Sequence, residues 1–369
     1  MEILYQNLLD IEFQQIIMWL IGGGLIYLAI AKEMEPTLLL PMGFGAILVN
    51  LPHSGAAAVI QHLFDIGIAG QELFPLLLFI GIGAMIDFQP LLTNPKLMLF
   101  GAAAQFGIFF TLCLASLCGF ELKDAASIAI IGAADGPTSI YVATQLGSGY
   151  LSAIMVAAYS YMALVPIIQP PVIKACTTRA ERRIKMPYRG KPVSRTTRIL
   201  FPILVTVIVG LVAPDAVALI GFLMFGNLIR ECGVLNTLSE TAQNVLANLI
   251  TILLGITIAS RMTAAEFLRP ETLLILGLGL VAFVADTVGG ILLAKGMNLF
   301  LKEKINPMIG AAGISAFPMS ARVVHKLGLE EDNQNFLLMH TIGVNVSGQI
   351  ASVIAGGLIL ALVRGRIGG

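Results

Sequence analysis

Asp135 stands alone as a charge within a long apolar stretch, in the run Gly132-Ala133-Ala134-Asp135-Gly136-Pro137-Thr138-Ser139. A Gly-Pro pair interrupts a helix. A carboxylate at such a break, with the hydroxyls of Thr138 and Ser139 beside it, offers hard oxygen ligands of the kind that suit Na⁺. An ionisable group in hydrocarbon costs about 2.5–3.5 kcal/mol even on a lenient insertion scale, so it calls for a reason. The alternative is an acid buried neutral and hydrogen-bonded, or paired with an arginine. A second polar set, Asn306, Ser315, Ser320 and Arg322, flanks or lies in Pro307–Leu327, itself interrupted at Pro318. Ser315 and Arg322 are seven apart, which on an unbroken helix places them on one face. An arginine there can fork a carboxylate or extend to the membrane interface. Asn345 and Ser347 form a polar stripe in an uncharged span, where helix-packing hydrogen bonds are the bland reading. Tyr161, in Tyr159-Ser160-Tyr161, is either an interfacial aromatic or a hydroxyl facing a cavity.

The elements that must position these residues are membrane helices. Of 369 residues 57% are hydrophobic and only 12% charged, with a mean hydropathy of +0.89. Soluble domains carry about 25% charge, so a soluble enzyme, a disordered chain and a nucleic-acid binder are excluded. Continuous rather than alternating apolar runs argue against a barrel. Uncharged stretches include Phe13–Ala31, Pro36–Phe64, Leu97–Phe120, Gly136–Ile173, Thr241–Ser260 and Asn335–Val363, and with shorter ones there are about a dozen apolar segments. The start lacks a basic region, so no cleaved signal peptide is expected. Cys113, Cys118, Cys176 and Cys232 form no C-x-x-C pair and read as packing residues. Asp286 and Lys295 read as a loose structural pair, Asp215 as a loop end, and the four histidines lack metal-ligand spacing.

Residues 174–198 hold nine of the 22 basic residues and one acid, Glu181, which makes this loop cytoplasmic by the positive-inside rule and open to a peripheral partner. The tail carries Glu2, Asp10 and Glu12 without a basic residue and is expected outside. That parity works if the 125–147 segment dips in and returns, which membranes tolerate where protein surrounds the hairpin.

The chain also repeats itself. Ile130-Ile131-Gly132-Ala133-Ala134 precedes Asp135, and Met308-Ile309-Gly310-Ala311-Ala312 precedes the Ser315 segment; both continue to a Leu-Gly. The expected fold is therefore an all-α membrane protein of two inverted repeats, 1–173 and 199–369, joined by the 174–198 loop. Their broken or re-entrant helices meet near the bilayer midplane, the usual place of a transporter site. Walker A, Rossmann, H-E-x-x-H and G-x-S-x-G signatures are absent from the sequence. From the residues alone, the first reading is a Na⁺-coupled secondary transporter of an organic anion. A purely structural anchor for peripheral subunits is a second.

The sequence resembles the β subunit of biotin-dependent, sodium-translocating decarboxylases, the oxaloacetate, glutaconyl-CoA and methylmalonyl-CoA enzymes. The resemblance rests on Gly132 to Ser139, on Asn306-Pro307-Met308-Ile309-Gly310-Ala311-Ala312-Gly313-Ile314-Ser315-Ala316-Phe317-Pro318-Met319-Ser320-Ala321-Arg322, and on Gly343-Val344-Asn345-Val346-Ser347-Gly348-Gln349. It covers nearly the whole chain. The compact start looks more like the acyl-CoA members. The resemblance implies a multi-pass inner-membrane subunit that decarboxylates carboxybiotin and drives Na⁺ outward while consuming a proton. It implies as partners a biotin carrier subunit, a carboxyltransferase (α) subunit, a small membrane anchor subunit and further copies of β, with biotin carried by a partner and no nucleic acid. The family's functional residues map onto Asp135, Tyr161, Asn306, Gly310, Ser315 and Arg322. On that basis Asp135, Tyr161, Ser315 and Arg322 are the expected catalytic set. Arg322, Tyr161 and Gly310 would meet carboxybiotin. Asp135, Thr138, Ser139, Asn306, Ser315 and Asn345 would hold Na⁺.

Overall fold

The computed structural model describes residues 9–33, 36–70, 72–187, 190 and 192–367, and among them it is helical with no strand. Glu2 of the acidic tail and Arg189 and Lys191 of the basic loop lie outside the described residues. Among the described residues, seven helices are long and apolar enough to cross a membrane: Phe13–Ala31, Pro95–Leu117, Leu151–Cys176, Arg195–Val212, Asn236–Arg261, Pro270–Phe300 and Leu338–Arg366. A bent pair, Gly55–Ala69 and Leu73–Met85, brings the number to eight if it counts as one crossing, and Pro36–Val49 is a shorter apolar helix. This is fewer than the apolar segments of the sequence, because several of those segments are cut into short pieces.

The Pro36–Phe64 stretch shows how. It divides after Val49, where the buried Asn50 donates from Nδ2 to the Ala46 and Met262 carbonyls at 2.8 and 2.7 Å and accepts from the Ala264 amide at 2.7 Å. A buried amide must find partners, and two of these, Met262 and Ala264, lie 212 and 214 residues away in sequence. The sequence halves interleave throughout. Leu73–Met85 lies on Val217–Glu231 so closely that Gly83 faces the Leu223 carbonyl and Gly226 the Ile80 carbonyl, leaving no room for a side chain at either glycine. Outer helices keep apolar side chains exposed, such as Leu211 at 81%, as a lipid-facing surface does. Polar residues are drawn to the centre, around Leu338–Ile367.

The basic loop folds back onto the end of the Met319–Glu331 helix. Arg182 Nε donates to Glu331 at 2.6 Å, Arg179 pairs with the same carboxylate at 3.3 Å, and Lys185 reaches Asp332 at 3.1 Å. The hydrogen bond from Arg182, reinforced by the charges of both arginines, holds the Glu331 carboxyl below its ordinary range. Lys295 pairs with Glu181 at 3.1 Å, not with Asp286, which lies two and a half turns back along the Pro270–Phe300 helix and is fully buried. All four cysteines are free; Cys113 and Cys118 are exposed rather than packed in the core.

Candidate functional site

The site grows from two interruptions that touch. In the first, the chain leaves the Leu122–Ala129 helix through a short 3₁₀ turn, Ile130–Ala133. Ala134 then takes a left-handed conformation, with φ +51°, which costs a residue bearing a Cβ about 1–2 kcal/mol. The turn is held by a cross-link: the Ser315 amide, in the second interruption, donates to the Ala133 carbonyl at 2.9 Å. Asp135 follows as the N-cap of Gly136–Gln145, with Gly136 and Pro137 opening the helix. Asp at an N-cap and Pro in the first turn are the residues a helix start prefers. Gly136 is obligatory on packing grounds, since a Cβ there would lie 2.5 Å from Cζ of the buried Tyr159.

The Asp135 carboxylate is 3% exposed. Its Oδ1 accepts from the Thr138 amide at 3.3 Å. Its Oδ2 accepts from Thr138 Oγ1 at 2.7 Å, Ser352 Oγ at 2.9 Å and Gln349 Nε2 at 3.1 Å. No lysine or arginine is among these partners. Asp135, Ser315 and Gln349 line one cavity of about 170 Å³, together with Phe317, Pro318 and Met319 and with Asn248 and Thr251 of the Asn236–Arg261 helix.

In the second interruption a single turn, Met308–Ala311, gives way to irregular chain before Met319–Glu331 begins. The Leu338–Ile367 helix braces it. Asn345 Nδ2 donates to the Ala312 and Ile314 carbonyls at 3.1 and 2.7 Å, and Ser315 Oγ donates to the Gly348 carbonyl at 3.0 Å. Asn345, Gln349 and Ser352 lie at i, i+4 and i+7, one face of that helix, so a single face serves both interruptions.

Of the residues expected from sequence, Asp135, Thr138, Ser315 and Asn345 therefore come together. Ser139 turns its hydroxyl to the Asp135 carbonyl at 2.8 Å, within its own helix. Gly310 packs backbone to backbone on Gly290. Asn306 sits elsewhere: it caps Met308 and donates to the Arg182 and Ile184 carbonyls of the basic loop at 2.8 and 3.0 Å. Arg322 is exposed on the Met319–Glu331 helix, and Pro318 breaks the helical register that would have aligned it with Ser315. Tyr161 points at the Pro270–Phe300 helix, its hydroxyl donating to the Leu276 carbonyl and its ring meeting Gly279. Gln349 and Ser352 carry no expected role, although their spacing from Asn345 was a signal that could have found them.

A multi-pass helical membrane protein with one uncompensated carboxylate at a helix break defines an ion-handling class. Residues 14–363 match the family described as the Na⁺-transporting oxaloacetate decarboxylase beta subunit. Among similar proteins, methylmalonyl-CoA decarboxylase subunit beta of Propionigenium modestum is 50% identical over 94% of each chain. Its namesake in Veillonella parvula is 50% identical over 94% of this chain and 92% of its own. The oxaloacetate decarboxylase beta chain of Klebsiella pneumoniae is 44% identical over 97% of each. The chain belongs to the family of Na⁺-transporting decarboxylase beta subunits, and acts as a membrane decarboxylase subunit within a multisubunit complex.

Proposed function

We propose that this subunit decarboxylates carboxybiotin, brought by a partner's carrier domain, and couples CO₂ release to Na⁺ export through competition of Na⁺ and a proton for Asp135. The observation that carries this reading is the buried Asp135 carboxylate, surrounded by neutral donors and hydroxyls and by no cation. A buried charge left in that state costs several kcal/mol, and either a proton or Na⁺ removes the cost. The hydroxyls of Thr138 and Ser352 donate to the carboxylate now and can turn lone pairs to an ion. Ser315 and Asn345, whose Oδ1 is buried without a partner among the described residues, supply further oxygens. Loss of CO₂ breaks the C–N bond, leaves the electron pair on the ureido nitrogen and requires a proton there. The acid form of Asp135 is its source, with Thr138 Oγ1 the hydroxyl nearest to pass it on. Exporting one Na⁺ against 100 mV costs about 2.3 kcal/mol, which decarboxylation supplies.

In this reading the membrane is the inner membrane and the 174–198 loop is cytoplasmic. The partners are the biotin carrier, the α subunit, a small anchor subunit and other β copies. The two halves of the chain are inverted repeats meeting at the site. Tyr161 seats the first interruption, and Arg322, exposed at the far end of the second, receives the carboxylate of carboxybiotin. The test is reconstitution with a carboxybiotinylated carrier: CO₂ release that rises with Na⁺, and that Asp135→Asn uncouples from Na⁺, is expected. Unchanged Na⁺ stimulation in Asp135→Asn refutes the competition. Substrate transport in liposomes without any biotinylated partner points instead to a secondary transporter.

A further inference from the structure

The repeated Ile-Gly-Ala-Ala motifs share one support, and a second buried acid stands in it. Gly132 of the first motif and Gly310 of the second both press on the Pro270–Phe300 helix. A Cβ on Gly132 would lie 2.8 Å from both Ala282 Cβ and Asp286 Oδ2, and Gly310 meets the Gly290 carbonyl. Asp286 and Gly290 are four apart, on one face. Asp286 is 0% exposed; its Oδ1 accepts from the Gly107 amide at 2.5 Å, where the Phe106–Leu117 helix begins, and its Oδ2 has no partner among the described residues.

Two effects compete over its charge. The start of a helix favours an anion by up to about 2 kcal/mol. Full burial of an unpaired carboxylate costs several kcal/mol, and Oδ2 faces glycine and alanine. The neutral acid keeps the Gly107 bond through its carbonyl oxygen, so little is lost by protonation.

We propose that Asp286 holds a proton while these helices are packed, and that as a neutral acid it is the positioning residue that seats the first interruption on the Pro270–Phe300 helix. The groups around it leave it uncompensated. The 98–117 and 130–134 segments carry one titratable residue, the exposed Cys113. On neighbouring elements Asp124 is bonded to Ser148 and Gly149, Lys123 pairs with Glu121, Glu266 with Arg261, and Lys295 with Glu181. Tyr161 is bonded to Leu276, and Tyr159 packs on Gly136 on the Asp135 side of the turn. A proton on Asp286 leaves Asp135 as the charge that the transported ion meets.

The test is infrared spectroscopy of the purified complex with isotope-labelled aspartate. A protonated aspartate carbonyl band that survives saturating Na⁺ in the wild type, and vanishes in Asp286→Asn, is expected. The band of Asp135 should instead respond to Na⁺, so failure of the coupling reading and failure of this one are separable. In activity, Asp286→Asn mimics the neutral acid, so decarboxylation should persist to higher pH than in the wild type, with half-saturating Na⁺ changed less than about threefold. Absence of a Na⁺-insensitive band in the wild type, which needs no variant to fold, overturns the proposal. A tenfold or greater loss of Na⁺ affinity in a stably folded Asp286→Asn also overturns it, because that is the mark of a charged ligand.

Discussion

Replacing Ser352 by alanine isolates the part that the Leu338–Ile367 helix plays at Asp135. The fully buried hydroxyl bonds to Oδ2 at 2.9 Å and to the Gln349 carbonyl, one turn back in its own helix, at 3.1 Å; the second contact is local to the helix, so the bond to Asp135 is the one between elements that its removal breaks. A hydrogen bond to a charged acceptor is worth about 1.5–3 kcal/mol. The loss acts in one direction on two counts: Na⁺ forfeits an oxygen ligand, and the ionised carboxylate that Na⁺ needs forfeits a donor. Half-saturating Na⁺ should therefore rise about 10- to 150-fold. The rate at saturating Na⁺ should fall much less, since Ser352 does not reach the carboxybiotin chemistry in this reading. The assay is decarboxylation by the reconstituted complex across a Na⁺ series, with Ser352→Thr as the control that keeps a hydroxyl. A shift below twofold in Ser352→Ala, with a normal melting temperature, refutes the placement of the ion at Asp135.

Two further outcomes follow from the packing and the loop. Gly136→Ala sets a Cβ 2.5–2.8 Å from the Tyr159 ring, an overpacking worth about 1–3 kcal/mol. Thermal unfolding should register that loss, and Tyr159→Leu in the same chain should restore most of it; a neutral Gly136→Ala counts against the observed packing. Glu331→Gln removes the partner of Arg182 and Arg179. Partial exposure puts that loss near the lower end for a charge-assisted bond, about 1.4 kcal/mol, so tryptic cleavage of the 174–198 loop in the solubilised protein should speed up about tenfold. Because the folded carboxyl titrates below the ordinary value of 4.5, its contribution is complete above that pH. It fades as the pH falls through the lower folded value, where wild type and Glu331→Gln should converge.

The expected span Phe13–Ala31 agrees to the residue with the helix, because charge and polarity change sharply at both of its ends. The Gly-Pro break after Asp135 was legible for the same kind of reason: few conformations are open to that pair. Other features were hidden by geometry that a linear chain does not display. Asn306 lies nine residues before Ser315 yet serves the basic loop, since the chain turns away between them. Tyr159 and Tyr161 differ by two residues, which on a helix is about 200°; one ring meets Gly136 and the other the far helix. Gln349 and Ser352 carried no expected role because an i, i+4, i+7 pattern of polar side chains in a membrane helix serves packing as readily as any site. Charge patterning revealed the basic loop but not its acidic counterpart at Glu330, Glu331 and Asp332, which consumes much of its charge internally.

In the proposed reading, ion binding at Asp135 and movement of the chain are joined by a few hydrogen bonds. The Ser315 amide holds the Ala133 carbonyl, and the Ser315 hydroxyl holds the Gly348 carbonyl. The residue after Gly348, Gln349, holds Asp135. These contacts close a ring from Asp135 through the first interruption to the second, on to the Leu338–Ile367 helix and back to Asp135. Any ion that draws Gln349 or Ser352 off the carboxylate pulls on that helix face, and the same face carries the Gly348 carbonyl and Asn345. Ala134 sits within this ring in a left-handed conformation that costs about 1–2 kcal/mol. A strained residue held within a closed ring of contacts is suited to two discrete arrangements rather than a continuum. In the proposed reading, exchange of Na⁺ for a proton at Asp135 reaches Ser315 through this ring of contacts.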